Sequence, residues 1–161
     1  MQMAEFAGGA GAKRWVERYA LLPVRLLVGF GFLQHGLAKW SKGPEAFAGI
    51  LHTIGVPAPH LMAMLTIATE ILVGIAVLLG AFVAWVSVPG IILMVVAMLS
   101  VHLPYGFSSI KLMGFADGRA QFGPPGYECD LLYVVCFVAL AMSPPTPWSW
   151  DAWWLRRSLR D

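Results

Sequence analysis

Apolar residues in this chain fall in long runs separated by short polar stretches, not in the alternation of a half-buried strand. The run Leu61–Leu79, LMAMLTIATEILVGIAVLL, holds a single charge, Glu70, at its centre. About 18 or more apolar residues rising ~1.5 Å each can cross the ~30 Å hydrocarbon layer of a bilayer as one helix. From Ile71 through Ile110 there is no Asp, Glu, Lys or Arg. That is too long for one helix, and Gly80-Ala81 divides it. The pattern predicts an all-α integral membrane four-helix bundle with spans at about 20–40, 61–79, 82–103 and 127–143, the third kinked at Pro89-Gly90. Residues 1–19 form a cytoplasmic or interfacial lead-in, residues 20–143 the membrane domain, and residues 144–161 a Trp-rich, basic interfacial tail.

The connections are unequal. Ser41 to His60 is polar and carries Pro and Gly, and its segment EAFAGILHTIG has the spacing of a short interfacial helix ended by Gly55 and Pro57. Pro104 to Gly126 is the longest connection and holds too many glycines and prolines for a span. The first residues lack a cleavable signal pattern of early basic residues, apolar core and small-residue cleavage site, so retention is expected.

Composition sharpens this picture: 58% of residues are hydrophobic and 12% charged, about half the charged share usual in soluble domains. A net charge of +2 with basic residues at the chain ends gives no stripe for nucleic acid. The bases act instead as orientation signals. Lys13, Arg14, Arg18, Arg156, Arg157 and Arg160 fall on one side of a four-span topology, against Lys42, Lys111 and Arg119 on the other. Both termini are therefore expected in the cytoplasm, in a multi-pass protein of a bacterial inner membrane. Cys129 and Cys136 would be ~10 Å apart along one helix, beyond disulfide reach, and are read as free thiols.

The candidate chemistry lies where polar residues interrupt the spans. On a helix of 100° per residue, Arg25, Gly29, Phe32, Gly36 and Lys39 fall within about 80°, with His35 at the edge. Glycines on such a face let a second helix approach closely. Arg25 and Lys39 are ~21 Å apart along the axis, so each either snorkels to its own surface or serves as partner to Glu70. An ionised carboxylate at mid-depth costs at least ~2.5–3.5 kcal/mol, so Glu70 needs a cation, a hydrogen bond or a proton. Arg25, His35, Lys39, Glu70, His102 and Glu128 are the candidate ligand and proton-site residues. Glu128 and Asp130 also suit the N-terminal dipole of the fourth helix. No metal-ligand spacing, nucleophile motif, phosphate loop or dinucleotide fingerprint is present, so no metal and no catalytic residue is assigned.

In the order of its charged positions the chain resembles the DoxX family of small four-helix membrane proteins. The matching stretches are RLLVGFGFLQHGLAK (Arg25 to Lys39), FAGILHTIGVPAPHLMAMLTIATEILVGIAVLLG (Phe47 to Gly80), MLSVHLPYGF (Met98 to Phe107) and GYECDLLYVVCFVALAM (Gly126 to Met142). The ending departs from the family's Gly-x-Gly turn, having Pro144-Pro145-Thr146-Pro147, while Ser149-Trp150-Asp151 keeps its Ser-x-Asp part. The resemblance implies the fold and an accessory or anchoring subunit of a membrane redox system. It would bind a quinone or lipid-like ligand or a partner oxidoreductase, and at most be the quinone-reactive part of an enzyme. The alternative is a non-redox module that binds a lipid-like ligand or assists assembly or export of a partner protein.

Overall fold

The computed structural model describes residues 16, 17 and 19–160. The lead-in bases Lys13, Arg14 and Arg18 lie outside these residues. The described chain is mostly helical. Helix α1 runs Leu22–Ser41, α2 Pro44–Thr53, α3 Pro59–Leu79 and α4 Val83–Ala97. Helix α4 loosens into a π-helical turn at Met98–His102 and a 3-10 turn at Leu103–Tyr105. A hairpin of β1 (Leu112–Ala116) and β2 (Arg119–Phe122) follows, then α5 (Glu128–Met142) and α6 (Trp150–Ser158). Among the described residues two helices are long and apolar enough to cross a membrane, Pro59–Leu79 with 21 residues and Val83–Tyr105 with 23.

One core draws on α1, α3, α4 and α5: Val28 and Phe32, Val73 and Val77, Met94, and Phe137 with Leu140. The outward faces remain apolar, with Leu27, Leu72, Trp85 and Ile92 more than half exposed. An exposed apolar surface of this extent belongs against lipid or another protein.

Helices α1 and α3 pack through glycine. A Cβ on Gly74 would lie 2.5 Å from the Leu33 backbone N, and one on Gly29 2.7 Å from the Leu78 N. The backbones touch because neither residue has a side chain. Pro89-Gly90 serves packing too: Pro89 sits inside α4, which continues past it, and a Cβ on Gly90 would stand 2.8 Å from the Phe137 ring. Gly80 ends α3 in the left-handed region at φ 66°, making the turn that divides the apolar stretch.

The hairpin corrects the all-α expectation. Leu112 pairs with Phe122 and Ala116 with Arg119, antiparallel. The turn between them is Asp117-Gly118, with φ of 51° and 71°. Both central residues are left-handed, as the tight turns that suit right-twisted strands require. The tail carries a further helix, α6, beyond the four spans expected.

Candidate functional site

Lys39 stands in the last turn of α1 and Glu70 in the middle of α3, and antiparallel packing of the two helices brings them together. Lys39 Nζ donates to Glu70 Oε1 and forms an ion pair with it. The Glu70 side chain is 3% exposed and that of Lys39 27%. Lys39 thus reaches toward one surface while holding a carboxylate that the core has enclosed. Phe47 of α2 lies beneath the same ammonium, 4.9 Å from ring centroid to Nζ, a geometry that favours the cation. Gly36 leaves room for the carboxylate's stem: a Cβ there would approach the Glu70 Cβ to 3.1 Å. Glu70 Oε2 is buried with no hydrogen-bond partner among the described residues. A buried carboxylate oxygen left without a donor is energetically costly, and it marks a place where a ligand's N–H or O–H, or a proton, would be stabilised.

The other candidate residues separate into three places. Arg25, at the far end of α1, does not reach Glu70. Its Nη1 donates to Thr146 Oγ1 at 2.8 Å and to the Pro147 carbonyl at 3.4 Å, and Nη2 donates to the Trp148 carbonyl at 3.1 Å. Arg25 is 2% exposed and its Nε has no partner among the described residues. Its partners are neutral oxygens of the segment leading into α6.

His102 pairs with a residue read from sequence only as a helix-terminus charge. His102 Nδ1 and Asp130 Oδ2 lie 2.6 Å apart, with Asp130 buried. Asp130 sits in the first turn of α5 and His102 ends the π-helical turn, so the pair joins the end of the α4 segment to the start of α5. Glu128, two residues earlier, turns the other way: its Oε2 accepts from the Ser109 backbone N at 3.0 Å. That contact fastens the long connection, as do the Gly126 and Tyr127 amides, which donate at 3.0 Å to the Ser108 and Gly106 carbonyls. Glu128 is accordingly a loop fastener, and nothing places it beside Glu70.

His35 is exposed and meets Tyr133 of α5 edge-on, ring centroids 6.2 Å apart. Tyr133 also packs edge-on against Phe32 at 5.4 Å, directly over Gly31. It was invisible in the sequence because a tyrosine inside an apolar run carries no charge to draw notice. His52 is exposed, and His60 forms a surface pair with Glu45 at 2.9 Å. No group of three or more His, Cys, Asp or Glu side chains suited to a metal occurs among the described residues, and Cys129 and Cys136 are free.

The opposite end is built by the retained Ser-x-Asp. Ser149 Oγ caps α6 by accepting from the Ala152 N at 3.1 Å. Asp151 caps α4, its Oδ1 accepting from the Phe82 N at 2.7 Å and its Oδ2 from the Val83 N at 3.0 Å, where the helix dipole favours an anion. The Asp151 N donates to the Gly80 carbonyl at 3.0 Å. Two cavities lie at this end, of about 160 and 470 Å³. Neither is lined by Glu70 or Lys39. The unsatisfied carboxylate oxygen, in the middle of α3, and these two cavities thus lie in different parts of the molecule. The carboxylate is the candidate for proton chemistry, because shape alone supplies no proton.

The profile of the DoxX family matches residues 20–103. An uncharacterized membrane protein of Mycobacterium tuberculosis is 33% identical over 136 residues, covering 82% of this chain and 79% of the relative. No solved structure matches.

Proposed function

The chain belongs to the DoxX family of membrane proteins, and from that premise we propose that it is an accessory or anchoring subunit of a membrane redox system, with a quinone or lipid-like ligand at Glu70. In this reading α1, α3, the α4 segment and α5 are four spans of a multi-pass inner-membrane protein with both termini cytoplasmic. The Lys39–Glu70 pair then lies in the outer half of the bilayer, and the Arg25–tail contacts lie near the cytoplasmic surface.

The observation that carries the proposal is the state of Glu70: one oxygen paired with Lys39, the other buried and unpartnered. A bound quinone would supply the electron-accepting ring. Lys39 can donate a hydrogen bond to a carbonyl, and Glu70 can hold or release a proton at Oε2. Lys39 is partly exposed, which gives the pair an exit for that proton. His102 with Asp130 provides a second titratable pair toward the same surface. Electrons would come from a partner oxidoreductase.

The test is gentle extraction of tagged protein from its native membrane, followed by identification of co-purifying proteins in wild type and Glu70→Gln. A redox subunit or quinone present with wild type and depleted with the variant is expected. Transport or export machinery in place of any redox protein would turn the assignment to the non-redox alternative.

A further inference from the structure

The larger cavity has no part in the site just described, and its chemistry is distinct. Helix α6 is held against the start of α4 by Asp151, and between them runs a groove of about 470 Å³ lined chiefly by Phe82, Trp85, Pro145, Trp150, Trp154 and Leu155. Its walls are aromatic and aliphatic, yet open: Trp85 is 79% exposed and Trp154 61%. Asp151 is the one ionisable side chain in its lining, and both of its carboxylate oxygens are occupied by the Phe82 and Val83 amides. The Asp151 carboxylate is thus engaged at the start of α4.

Two features specify the occupant. First, the groove continues onto an exposed apolar stripe of α4, Trp85, Val88, Ile92 and Val96, whose spacing of three and four residues keeps it on one helix face. An acyl chain lying on that stripe would have its upper end in the groove. Second, α6 carries Arg156 and Arg157 in its last turn, and Arg160 follows, all three exposed. At 100° per residue Arg157 falls about 20° from Trp150, at the edge of the groove, while Arg156 and Arg160 project from the flank turned away from Trp154 and Leu155. Trp153 shares that side, with the Arg157 guanidinium 5.6 Å from its ring centroid. The tryptophan face of α6 thus closes the groove, with Arg157 at its edge and Arg156 and Arg160 on the flank beyond.

We infer that α6 and the start of α4 form a binding site for an anionic phospholipid, with an acyl chain in the Trp85–Trp154 groove and the phosphate headgroup held by Arg156, Arg157 and Arg160. Tryptophan belongs at the level of the headgroups, and juxtamembrane arginines bind anionic lipid by charge. The site is separate from Glu70 and does not depend on the redox reading.

The test uses the full-length protein in detergent with equimolar dioleoylphosphatidylglycerol and dioleoylphosphatidylcholine, and native mass spectrometry counts the lipids retained. Wild type should retain phosphatidylglycerol over phosphatidylcholine by roughly tenfold. The exposed-surface variant Arg156→Gln/Arg157→Gln/Arg160→Gln should bring the ratio close to one. Trp150→Ala/Trp154→Ala should lose both lipids at the same collision energy, and Arg119→Gln, on the exposed hairpin, should match wild type. Equal retention of the two lipids by wild type, or a preference that survives removal of the three arginines, overturns the proposal. So does wild-type retention by a folded Trp150→Ala/Trp154→Ala protein.

Discussion

Lys39 and Glu70, distant in sequence, form an ion pair that ties the last turn of α1 to the middle of α3. Lys39→Met leaves the carboxylate buried without its cation, and removing one partner of such a pair costs ~3 kcal/mol or more. Lys39→Met/Glu70→Met removes both charges and should recover most of that loss. Thermal unfolding in detergent checks this, and an unchanged midpoint for Lys39→Met would show that the pair does not join the helices.

Close packing of α1 on α3 is expected to be intolerant of a single methyl. A Cβ at Gly74 meets the Leu33 backbone N at 2.5 Å, and backbone cannot swing aside. Gly74→Ala should therefore destabilise by ~1–3 kcal/mol. Gly49→Ala on α2, where a Cβ meets nothing within 4 Å, should gain up to ~1 kcal/mol from helix propensity. Opposite signs in parallel melts are the outcome to look for.

Loss of the Asp151 carboxylate strips the cap from α4. Asp151→Ala should cost ~1–2 kcal/mol, with Asp151→Asn in between because the amide oxygen still accepts from one backbone N–H. Hydrogen exchange at the Phe82 and Val83 amides is the direct measure, and it should accelerate in Asp151→Ala.

Arg25 should act as the anchor of the tail. In Arg25→Met the Thr146 hydroxyl and the Pro147 and Trp148 carbonyls lose their donor, so limited proteolysis should cut between Ser143 and Trp150 faster than in wild type. Equal cutting rates would mean that Asp151 alone holds the segment.

Most of the helices were legible because their signal is local. Glu70 amid an uncharged run, the sector shared by Arg25, Gly29, Phe32, Gly36 and Lys39, and the Gly80 turn needed only helical periodicity. The hairpin was missed although Asp117-Gly118 is a strong turn signal, because the flanking segments are short and lack alternation. Pairings were harder. Arg25 and Lys39 were equally good partners for Glu70 until the offset of α1 against α3 was known, and that offset is set by Gly29, Gly36 and Gly74 meeting backbone. Asp130 looked like a helix-terminus charge because nothing local reveals that His102, on another helix, arrives beside it. The Ser-x-Asp stood out as a pattern, but its role required knowing that α6 folds back on the turn at Gly80.

A ligand hydrogen-bonded at Glu70 Oε2 is tested most directly by photolabelling. Purified protein would be irradiated with an azido-quinone and the modified peptides mapped, in wild type and in Glu70→Gln. Label on α1 near Gly36–Lys39 or on α3 near Ile67–Gly74, displaced by excess unlabelled quinone and lost in Glu70→Gln, is the result expected. Label confined to the groove at Trp85 and Trp154, or labelling indifferent to Glu70→Gln, would contradict it.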